Sequence, residues 1–282
     1  MQTYLKAIES ELSTTINTKI LQKTIADSMN YSLLAGGKRI RPVLTLEFCR
    51  MTCGTWEQAL PLACALEMIH TYSLIHDDLP CMDNDDFRRG RPTNHKVYGE
   101  AMAVLAGDGL LTAAFTKATT AKLPAETVVA CIQELSLCAG ELGMVGGQVL
   151  DIEGENRKLE GDYIHEIQRL KTGKLLEAAC VMGTIAGGGT PEQVEAARTY
   201  AKCLGLAFQT QDDILDVTGD EKKLGKPIGT DTQKNTFVRL YGLEKCREIV
   251  QKETAKGVEA LHLFSDNQFL TDLAWGLTRR ES

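Results

Sequence analysis

The sequence lacks a long apolar run, a Cys-x-x-Cys pair and an excess of basic residues. Its apolar stretches stay well below the roughly 18 residues that a membrane-spanning helix needs. The first twenty residues are mixed and polar, without the apolar core of a secretory signal peptide. A net charge of −7 and a pI near 5.4 argue against a nucleic-acid partner, which requires a basic face. We therefore expect a cytoplasmic protein with no membrane span and no nucleic-acid partner.

The cysteine pattern gives no sign of a disulfide framework. The chain has nine cysteines, an odd number. Four of them lie in apolar helical contexts, namely Cys64, Cys131, Cys180 and Cys203. Such residues are typical of thiols that are buried in the core of a protein from a reducing compartment. We expect buried, reduced cysteines.

Helical periodicity dominates the chain, and no alternating strand pattern, repeat or low-complexity linker is found. A capping-box sequence at residues 55–58 precedes a long, mostly apolar stretch. Thr190 and Pro191 are typical of the start of a second long helix, in which apolar residues recur at three- and four-residue steps. We expect an all-α, single-domain protein over residues 1–282, with its helices around a deep central cavity.

Two aspartate clusters lie far apart in the chain. Clustered carboxylates repel one another, and burying them without partners is costly. A hard divalent cation such as Mg²⁺ relieves this repulsion and keeps coordination positions open for substrate phosphates. The expected metal ligands are Asp77, Asp78, Asp83, Asp212, Asp213 and Asp216. Two such clusters facing one cavity would hold a diphosphate from both sides.

The two clusters differ in their spacing. Asp212 and Asp216 are four residues apart and share one face of a helix. Asp77 and Asp83 are six residues apart, which places them on different faces of an ideal helix. However, Pro80 disfavours helical geometry at the preceding residue. The resulting distortion would bring Asp83 back to an ion that is held by Asp77.

Basic residues follow a glycine pair and also follow the first aspartate cluster. Lys38 and Arg41 come after the glycines, and two adjacent arginines, residues 88–89, come after the cluster. Guanidinium and ammonium groups bind phosphate without a metal. His70 lies two helical turns before Asp77 on the same face. These positions predict a second, metal-free diphosphate site.

These motifs together resemble the short-chain trans-polyprenyl diphosphate synthases, and within that family the bacterial farnesyl diphosphate synthases. The resemblance covers residues 35–243 or more. The matching motifs are GGKRIRP (36–42), the segment 67–95, LAGDGLL (105–111), GGQVLD (146–151), KTGKL (171–175), FQTQDDILD (208–216) and GKPIGTD (225–231). Two Asp-rich motifs in this order, with these flanking residues, are highly specific for the family.

The resemblance implies a role for each motif residue, with three Mg²⁺ ions in each active site. The ligands of two ions would be Asp77, Asp78 and Asp83, and the anchor of the third would be Asp212. The residues that resemble receptors for isopentenyl diphosphate are Lys38, Arg41, His70 and Arg89. Those that resemble contacts to the allylic diphosphate are Arg88, Lys171, Thr172, Gln209, Lys226 and Lys234. Two further residues would line the cavity, Gln148 and Asp151.

The resemblance also implies the chemistry. An allylic diphosphate, dimethylallyl or geranyl, would ionise, condense with isopentenyl diphosphate and then lose a proton, in a homodimeric enzyme. Tyr72 and Ser73 lie about 7.5 and 6 Å below Asp77 along the helix, and in the family the Tyr72 position commonly limits product length. We expect a fifteen-carbon product, farnesyl diphosphate, with geranylgeranyl or geranyl diphosphate as the alternative. This chain departs from the family in one respect. Lys234 follows Asp231 about two residues sooner than the corresponding lysine in the family, which leaves open whether its side chain reaches the diphosphate.

Two rival functions differ in what they require. A terpene cyclase also ionises allylic diphosphates with Mg²⁺, but it has no need for an isopentenyl diphosphate site built from Lys38, Arg41 and Arg89. A non-catalytic subunit of a heteromeric prenyl synthase typically loses one Asp motif, whereas both motifs are intact here. Both rivals are therefore less favoured than a prenyltransferase.

Overall fold

The computed structural model of the chain describes residues 1–155, 157, 159–218 and 236–279. Lys226 and Lys234, two of the predicted substrate contacts, lie outside these described residues. The all-α prediction is confirmed, because the described residues form helices and one two-stranded hairpin. The contacts divide the chain into unit 1, with Met1–Gln133 and Ile185–Gly188, and unit 2, with Glu134–Thr184 and Gly189–Ser282. The single-domain organisation stays a prediction.

Unit 1 carries the first half of the helices. They are α1 (Gln2–Thr15), α2 (Lys23–Leu33), α3 (Ile40–Cys53), α4 (Leu60–Asp77), α5 (Asn94–Tyr98), α6 (Glu100–Ala118) and α7 (Ala125–Ala139). The last residues of α7, from Glu134 onward, belong to unit 2. Between α4 and α5, the strands β1 (Phe87–Arg88) and β2 (Arg91–Pro92) form an antiparallel hairpin.

Unit 2 carries the remaining helices. They are α8 (Met144–Gly154), α9 (Gly161–Gln168), α10 (Lys174–Ala186, ending in unit 1), α11 (Pro191–Thr218), α12 (Phe237–Tyr241), α13 (Leu243–Ala260) and α14 (Gln268–Thr278). A five-residue π-helical turn, Arg169–Gly173, joins α9 to α10. The long helix α11 packs against α13.

Helix α4 is the central helix of unit 1, because most of its residues are buried and it packs against both α3 and α6. The predicted capping box in front of it does not form. Residues Glu57–Ala59 make a 3₁₀ turn, and the Thr55 hydroxyl donates instead to the side-chain oxygen of Gln58 at 3.0 Å. The helix therefore begins at Leu60, with Pro61 in the first turn, where no backbone N–H is required.

The predicted start of α11 is confirmed. The Gln193 amide donates to the Thr190 hydroxyl at 3.3 Å, and the Thr190 amide donates back to the Gln193 side chain at 3.1 Å. This reciprocal pair satisfies two amides that the first turn of a helix leaves without partners. Pro191 occupies the first helical position. The cap fixes the start of a 28-residue helix that carries the second Asp motif.

The cysteines behave as expected. All nine are free thiols, and seven of them are buried. Burial raises the pKa of the Cys64 thiol to about 12, which keeps it protonated and unreactive at neutral pH. These side chains therefore act as small apolar core residues, and the two exposed ones are Cys53 and Cys81.

A buried arginine fixes the loop between α2 and α3. Arg39 donates to Glu67 at 2.6 Å, to Glu9 at 2.7 Å and to the Leu33 carbonyl at 2.8 Å. Its backbone φ of 49° is in the left-handed region, which is unfavourable for a residue other than glycine. The ion pairs hold the backbone in this conformation. The loop that carries Lys38 is thereby tied to α1 and α4.

One stretch of the described residues, Ala125–Gly154, is long and apolar enough for a membrane span by length and composition alone. Only 39% of its most apolar window is buried. A single stretch of this kind is weak support for a span, because core helices pass the same test. The glycines at residues 140 and 143 also fall in a turn between α7 and α8. No membrane span is indicated among the described residues.

Candidate active site

The first Asp motif lies where α4 ends in unit 1. After Asp77 the backbone turns through residues 78–82, and the Asp83 amide donates to the Asp77 carbonyl at 2.9 Å. The chain thus folds back on the helix end, as the position of Pro80 predicted. Asp77 is half-buried and Asp83 is exposed. These carboxylates, brought together at one turn, are a donor set of hard oxygens that fits Mg²⁺.

Asp78 forms an ion pair with another predicted site residue. Its carboxylate is 3% exposed and accepts a hydrogen bond from the Arg88 guanidinium at 2.6 Å. Burial raises the pKa of the Asp78 carboxyl, and the hydrogen bond from Arg88 opposes this rise. The pair fixes the direction of the Arg88 side chain relative to the end of α4. The role of Asp78 as a metal ligand stays a prediction.

Arg41 and His70 come together as the predicted receptors of the second diphosphate. Arg41 Nη1 lies 3.3 Å from His70 Nε2. In the described part of the chain, the buried Nε of Arg41 has no hydrogen-bond partner. Burial, together with the charges of Arg41 and Arg89, lowers the pKa of His70 well below its usual range, so the ring is neutral near pH 7. A buried guanidinium with an unused donor next to a neutral histidine is suited to bind an anion.

Two glycines position Arg89 beside this pair. The Arg89 guanidinium donates to the Gly36 carbonyl. A Cβ atom built on Gly37 would lie only 2.8 Å from the Arg89 Cζ, and the Gly37 φ of 128° also favours glycine. The Gly-Gly pair therefore serves as a cradle for an arginine from the hairpin. Lys38 follows the pair and is exposed.

The residues predicted to limit product length, Tyr72 and Ser73, lie five and four residues before Asp77 on α4. Tyr72 is 7% exposed, and its ring meets that of His76 edge-on with centroids 5.8 Å apart. His76 in turn lies against Gly107 of α6. Tyr72 is therefore held by the packing of α4 on α6. Ser73 is half-buried, and its hydroxyl donates to a backbone carbonyl in the preceding turn.

In unit 2, Lys171 and Thr172 lie on the π-helical turn Arg169–Gly173. The Lys171 ammonium donates to Asp151 at 2.7 Å, which brings together two residues predicted to share the cavity. A Cβ on Gly147 would lie 2.2 Å from the Lys171 amide, so the glycine allows α8 to approach this turn closely. Single π-helical turns occur frequently at functional sites because they redirect side chains.

The second Asp motif lies near the end of α11. Asp212 and Asp216 share one helix face, and both are half-buried. Asp213 accepts a hydrogen bond from the Phe237 amide at 2.7 Å. Phe237 is fully buried, so Asp213 fixes the beginning of α12. Metal binding by these three aspartates stays a prediction.

Two further predicted residues lie on helices of unit 2. Gln209, on α11, donates to the side-chain oxygen of Gln168 at the end of α9 at 2.6 Å. Gln148 lies on α8 and is half-buried. The bond between Gln209 and Gln168 ties α11 to the residue that precedes the π-helical turn. This turn and α11 therefore have a fixed relative position within unit 2.

Another acidic cluster in unit 2 has a different role. Glu134, Cys138 and Glu177 lie close enough together for a metal site. However, Arg198 forms ion pairs with both glutamates, and Lys174 forms a third pair with Glu177 at 3.0 Å. The cations already neutralise the carboxylates. The cluster is a structural ion network among α7, α10 and α11.

The structure also adds residues that the sequence patterns did not identify. Arg39 and Glu67 form a buried pair beneath the receptor arginines, and Asn94 is buried beside the hairpin. Arg39 had a sequence signal, because it lies inside the basic run. Asn94 had none, because its partners are more than sixty residues away in the sequence. The π-helical turn at Lys171 had no signal either, since its sequence is compatible with ordinary helix.

Comparison with known proteins identifies the family. The family profile described as Polyprenyl synthetase matches residues 22–263. The chain is 49% identical over 246 residues to geranylgeranyl pyrophosphate synthase 3, chloroplastic, of Arabidopsis thaliana, covering 84% of this chain and 68% of the relative. The solved geranylgeranyl pyrophosphate synthetase of Pyrococcus horikoshii superposes with a TM-score of 0.92 at 30% identity, over 98% of this chain and 96% of the other. The solved FPP/GFPP synthase of Zymomonas mobilis superposes with a TM-score of 0.88 at 33% identity, over 98% of this chain and 96% of the other.

These relatives correct two expectations. The Arabidopsis relative is named for geranylgeranyl pyrophosphate, so the prediction of a farnesyl diphosphate synthase is wrong. Tyr72 was therefore not a sufficient basis for predicting a fifteen-carbon product. The word chloroplastic in the same name contradicts the expected cytoplasmic location. The profile match over most of its length shows that the chain belongs to the polyprenyl synthetase family.

Proposed function

We propose that this prenyltransferase extends an allylic diphosphate with isopentenyl diphosphate to the twenty-carbon product, geranylgeranyl diphosphate. The observation that carries the proposal is the 49% identity to a geranylgeranyl pyrophosphate synthase over 84% of the chain. The same relative supports a plastid as the compartment. Both Asp motifs and both sets of cations are present in the sequence, as a catalytic chain of this kind requires.

The diphosphate that does not ionise is assigned to Arg41, His70 and Arg89. The unused Nε donor of Arg41 and the exposed Arg89 guanidinium provide positive charge without a metal. The neutral ring of His70 supplies a hydrogen bond and adds no further like charge. These three residues bind and orient isopentenyl diphosphate. A terpene cyclase would have no use for this arrangement, which supports the prenyltransferase over that rival.

Arg88 in unit 1 and Lys171 in unit 2 are each assigned as a contact to an allylic diphosphate. Charge develops on this group when the carbon–oxygen bond breaks, and fixed cations stabilise the departing pyrophosphate. Asp77 and Asp83 in unit 1, and Asp212 in unit 2, would hold Mg²⁺. When bound, the metal supplies further Lewis-acid stabilisation of the same leaving group. The ion pairs of Arg88 with Asp78 and of Lys171 with Asp151 orient the two cations before substrate arrives.

We also propose that the chain is a homodimer. In unit 2, Leu142, Val145, Val149 and Ile152 are each at least 43% exposed. Val145, Val149 and Ile152 recur at four- and three-residue steps and form one stripe along α8, and Leu142 precedes them in the turn before the helix. An apolar stripe of this kind is typical of a protein interface. A second copy of the chain is the proposed partner.

The proposed reaction is tested by product analysis of the purified chain. Isopentenyl diphosphate and dimethylallyl diphosphate with Mg²⁺ should give geranylgeranyl diphosphate, whereas exhaustive chelation should abolish turnover. Asp77→Ala should lower kcat by at least ~100-fold, because one preorganised electrostatic contact is worth about that much. Asp86→Ala is a matched control, since this exposed aspartate pairs with Lys96 on the surface. Chromatography that shows no twenty-carbon product, or full activity after chelation, would contradict the proposal.

The position of Tyr72 leads to a second prediction, on product length. Its ring is held against His76 close to the helix end that carries Asp77. Replacing it with alanine removes the ring and leaves a cavity along α4. Tyr72→Ala should shift the products toward chains longer than twenty carbons, as measured by chromatography. Tyr98→Ala is the control, because that ring lies on α5 against Tyr31. Identical product distributions for the wild type and Tyr72→Ala would assign length control to another residue.

The homodimer is tested by light scattering on the purified chain. The wild type should have a mass near twice 30.9 kDa. Val149→Glu places a charge in the apolar stripe, and burial of an unpaired charge at an interface is costly, so this variant should be monomeric. Val217→Glu is a matched control, because Val217 is 57% exposed but lies on α11, outside the stripe. A monomeric wild type, or an unchanged mass for Val149→Glu, would refute the proposed interface.

A further inference from the structure

The hairpin that carries Arg88 and Arg89 is too small to hold its own shape. Each strand has two residues, and the pairing is limited to Phe87 with Pro92 and Arg88 with Arg91. Phe87 is 69% exposed, so the hairpin contributes little apolar surface to a core. Isolated two-stranded hairpins are marginally stable at best in water. The positions of the two arginines therefore depend on contacts outside the hairpin.

One of these contacts is made by a buried asparagine, Asn94, two residues after the hairpin. Asn94 is 2% exposed and Ser28 of α2 is fully buried. The Ser28 hydroxyl donates to the Asn94 side-chain oxygen at 2.8 Å, and the Asn94 amide donates to the Ser28 carbonyl at 2.9 Å. The same amide group also donates to the Ser32 hydroxyl at 2.9 Å. Asn94 thus makes three hydrogen bonds to one face of α2.

Three neighbouring contacts join the hairpin to the same helix or close its base. The Tyr31 hydroxyl donates to the Pro92 carbonyl at 2.8 Å, and the Arg91 guanidinium lies 4.4 Å from the centre of the Tyr31 ring. At the base of the hairpin, the Thr93 hydroxyl donates to the Asp85 carbonyl at 2.7 Å. The base therefore moves together with α2.

The tip of the hairpin contacts the loop that directly follows the same helix. Arg89 donates to the carbonyl of Gly36, which lies three residues beyond the end of α2. Asn94 holds the base of the hairpin and Gly36 meets its tip. Helix α2 is itself anchored in the core, because Ala26 and Leu33 are fully buried. The position of Arg89 is thus set by α2 through two separate contacts.

We propose that Asn94 is a positioning residue that places the Arg89 guanidinium for diphosphate binding by clamping the hairpin to Ser28 of α2. The inference rests on the proposed function, because it concerns the isopentenyl diphosphate subsite. Asn94 is buried beside α2 and acts through Arg89. Without the clamp, the hairpin keeps its two short strands but loses its fixed distance from α2.

The test compares dissociation constants for isopentenyl diphosphate by titration calorimetry. Asn94→Ala removes three hydrogen bonds, and the loss of positioning should raise the dissociation constant about tenfold. Ser28→Ala should raise it in the same direction, roughly threefold, because one of the three bonds is lost. Asn30→Ala on the same helix is the control. The Asn30 side-chain oxygen has no hydrogen-bond partner in the described part of the chain, so binding should not change.

A double-mutant cycle separates positioning from general stability. If Asn94 acts through Arg89, the weakening by Asn94→Ala should disappear, to within about twofold, in an Arg89→Ala background. An equal weakening in both backgrounds would overturn the proposal, as would a lowered melting temperature with an unchanged dissociation constant. If Asn94→Ala does not fold, the same cycle is run with Ser28→Ala.

This test does not depend on the product of the reaction. Inorganic pyrophosphate serves as a second probe of the same cation subsite, and its binding to the wild type and the variants follows the same cycle. If the chain bound pyrophosphate through Arg89 but made no prenyl product, the proposed function would fail and the positioning role would stand. If turnover were normal and Asn94→Ala left both dissociation constants unchanged, the positioning role alone would fail.

Discussion

A concentration of like charge in unit 1 is the constraint on which the candidate site depends. Four arginines, at residues 39, 41, 88 and 89, lower the pKa of His70 together with its burial. Four carboxylates compensate directly, since Glu9 and Glu67 pair with Arg39, and Asp78 and Asp85 pair with Arg88. Such buried pairs contribute little net stability but are costly to break. They leave Arg41 and Arg89 as the cations whose charge has to be balanced by a ligand.

Each Asp motif divides its carboxylates between two tasks. In unit 1, Asp78 holds Arg88, whereas Asp77 and Asp83 lie at the turn that closes on the helix end. In unit 2, Asp213 accepts the amide of Phe237. One aspartate of each motif therefore fixes the protein around the site.

Local chemistry could be predicted from the sequence, and long-range contacts could not. The Thr190 cap follows from its own residue and the three that come after it, and the chain reversal after Asp77 follows from Pro80. The capping box at Thr55 failed because a competing 3₁₀ turn took the same residues. Asn94 could not be foreseen, since its role depends on a helix more than sixty residues away.

Product length could not be predicted from the sequence pattern, for a related reason. The sequence shows only that residue 72 has an aromatic ring. The position of that ring depends on its contact with His76 and on the packing of α4 against α6. In the same way, the motif KTGKL contains Lys171, but it does not predict the π-helical turn that carries this residue or the close packing of that turn against α8. The sequence could name candidate site residues, whereas the positions of their side chains depend on packing.

The central claim is that one diphosphate is bound by cations without metal and the other requires Mg²⁺. Titration calorimetry of the purified chain with isopentenyl diphosphate alone, in Mg²⁺ and again in excess chelator, tests it most directly. The account predicts that isopentenyl diphosphate binds with a dissociation constant that changes less than about threefold on chelation, because its receptors are guanidinium groups. Loss of isopentenyl diphosphate binding in chelator would contradict the account.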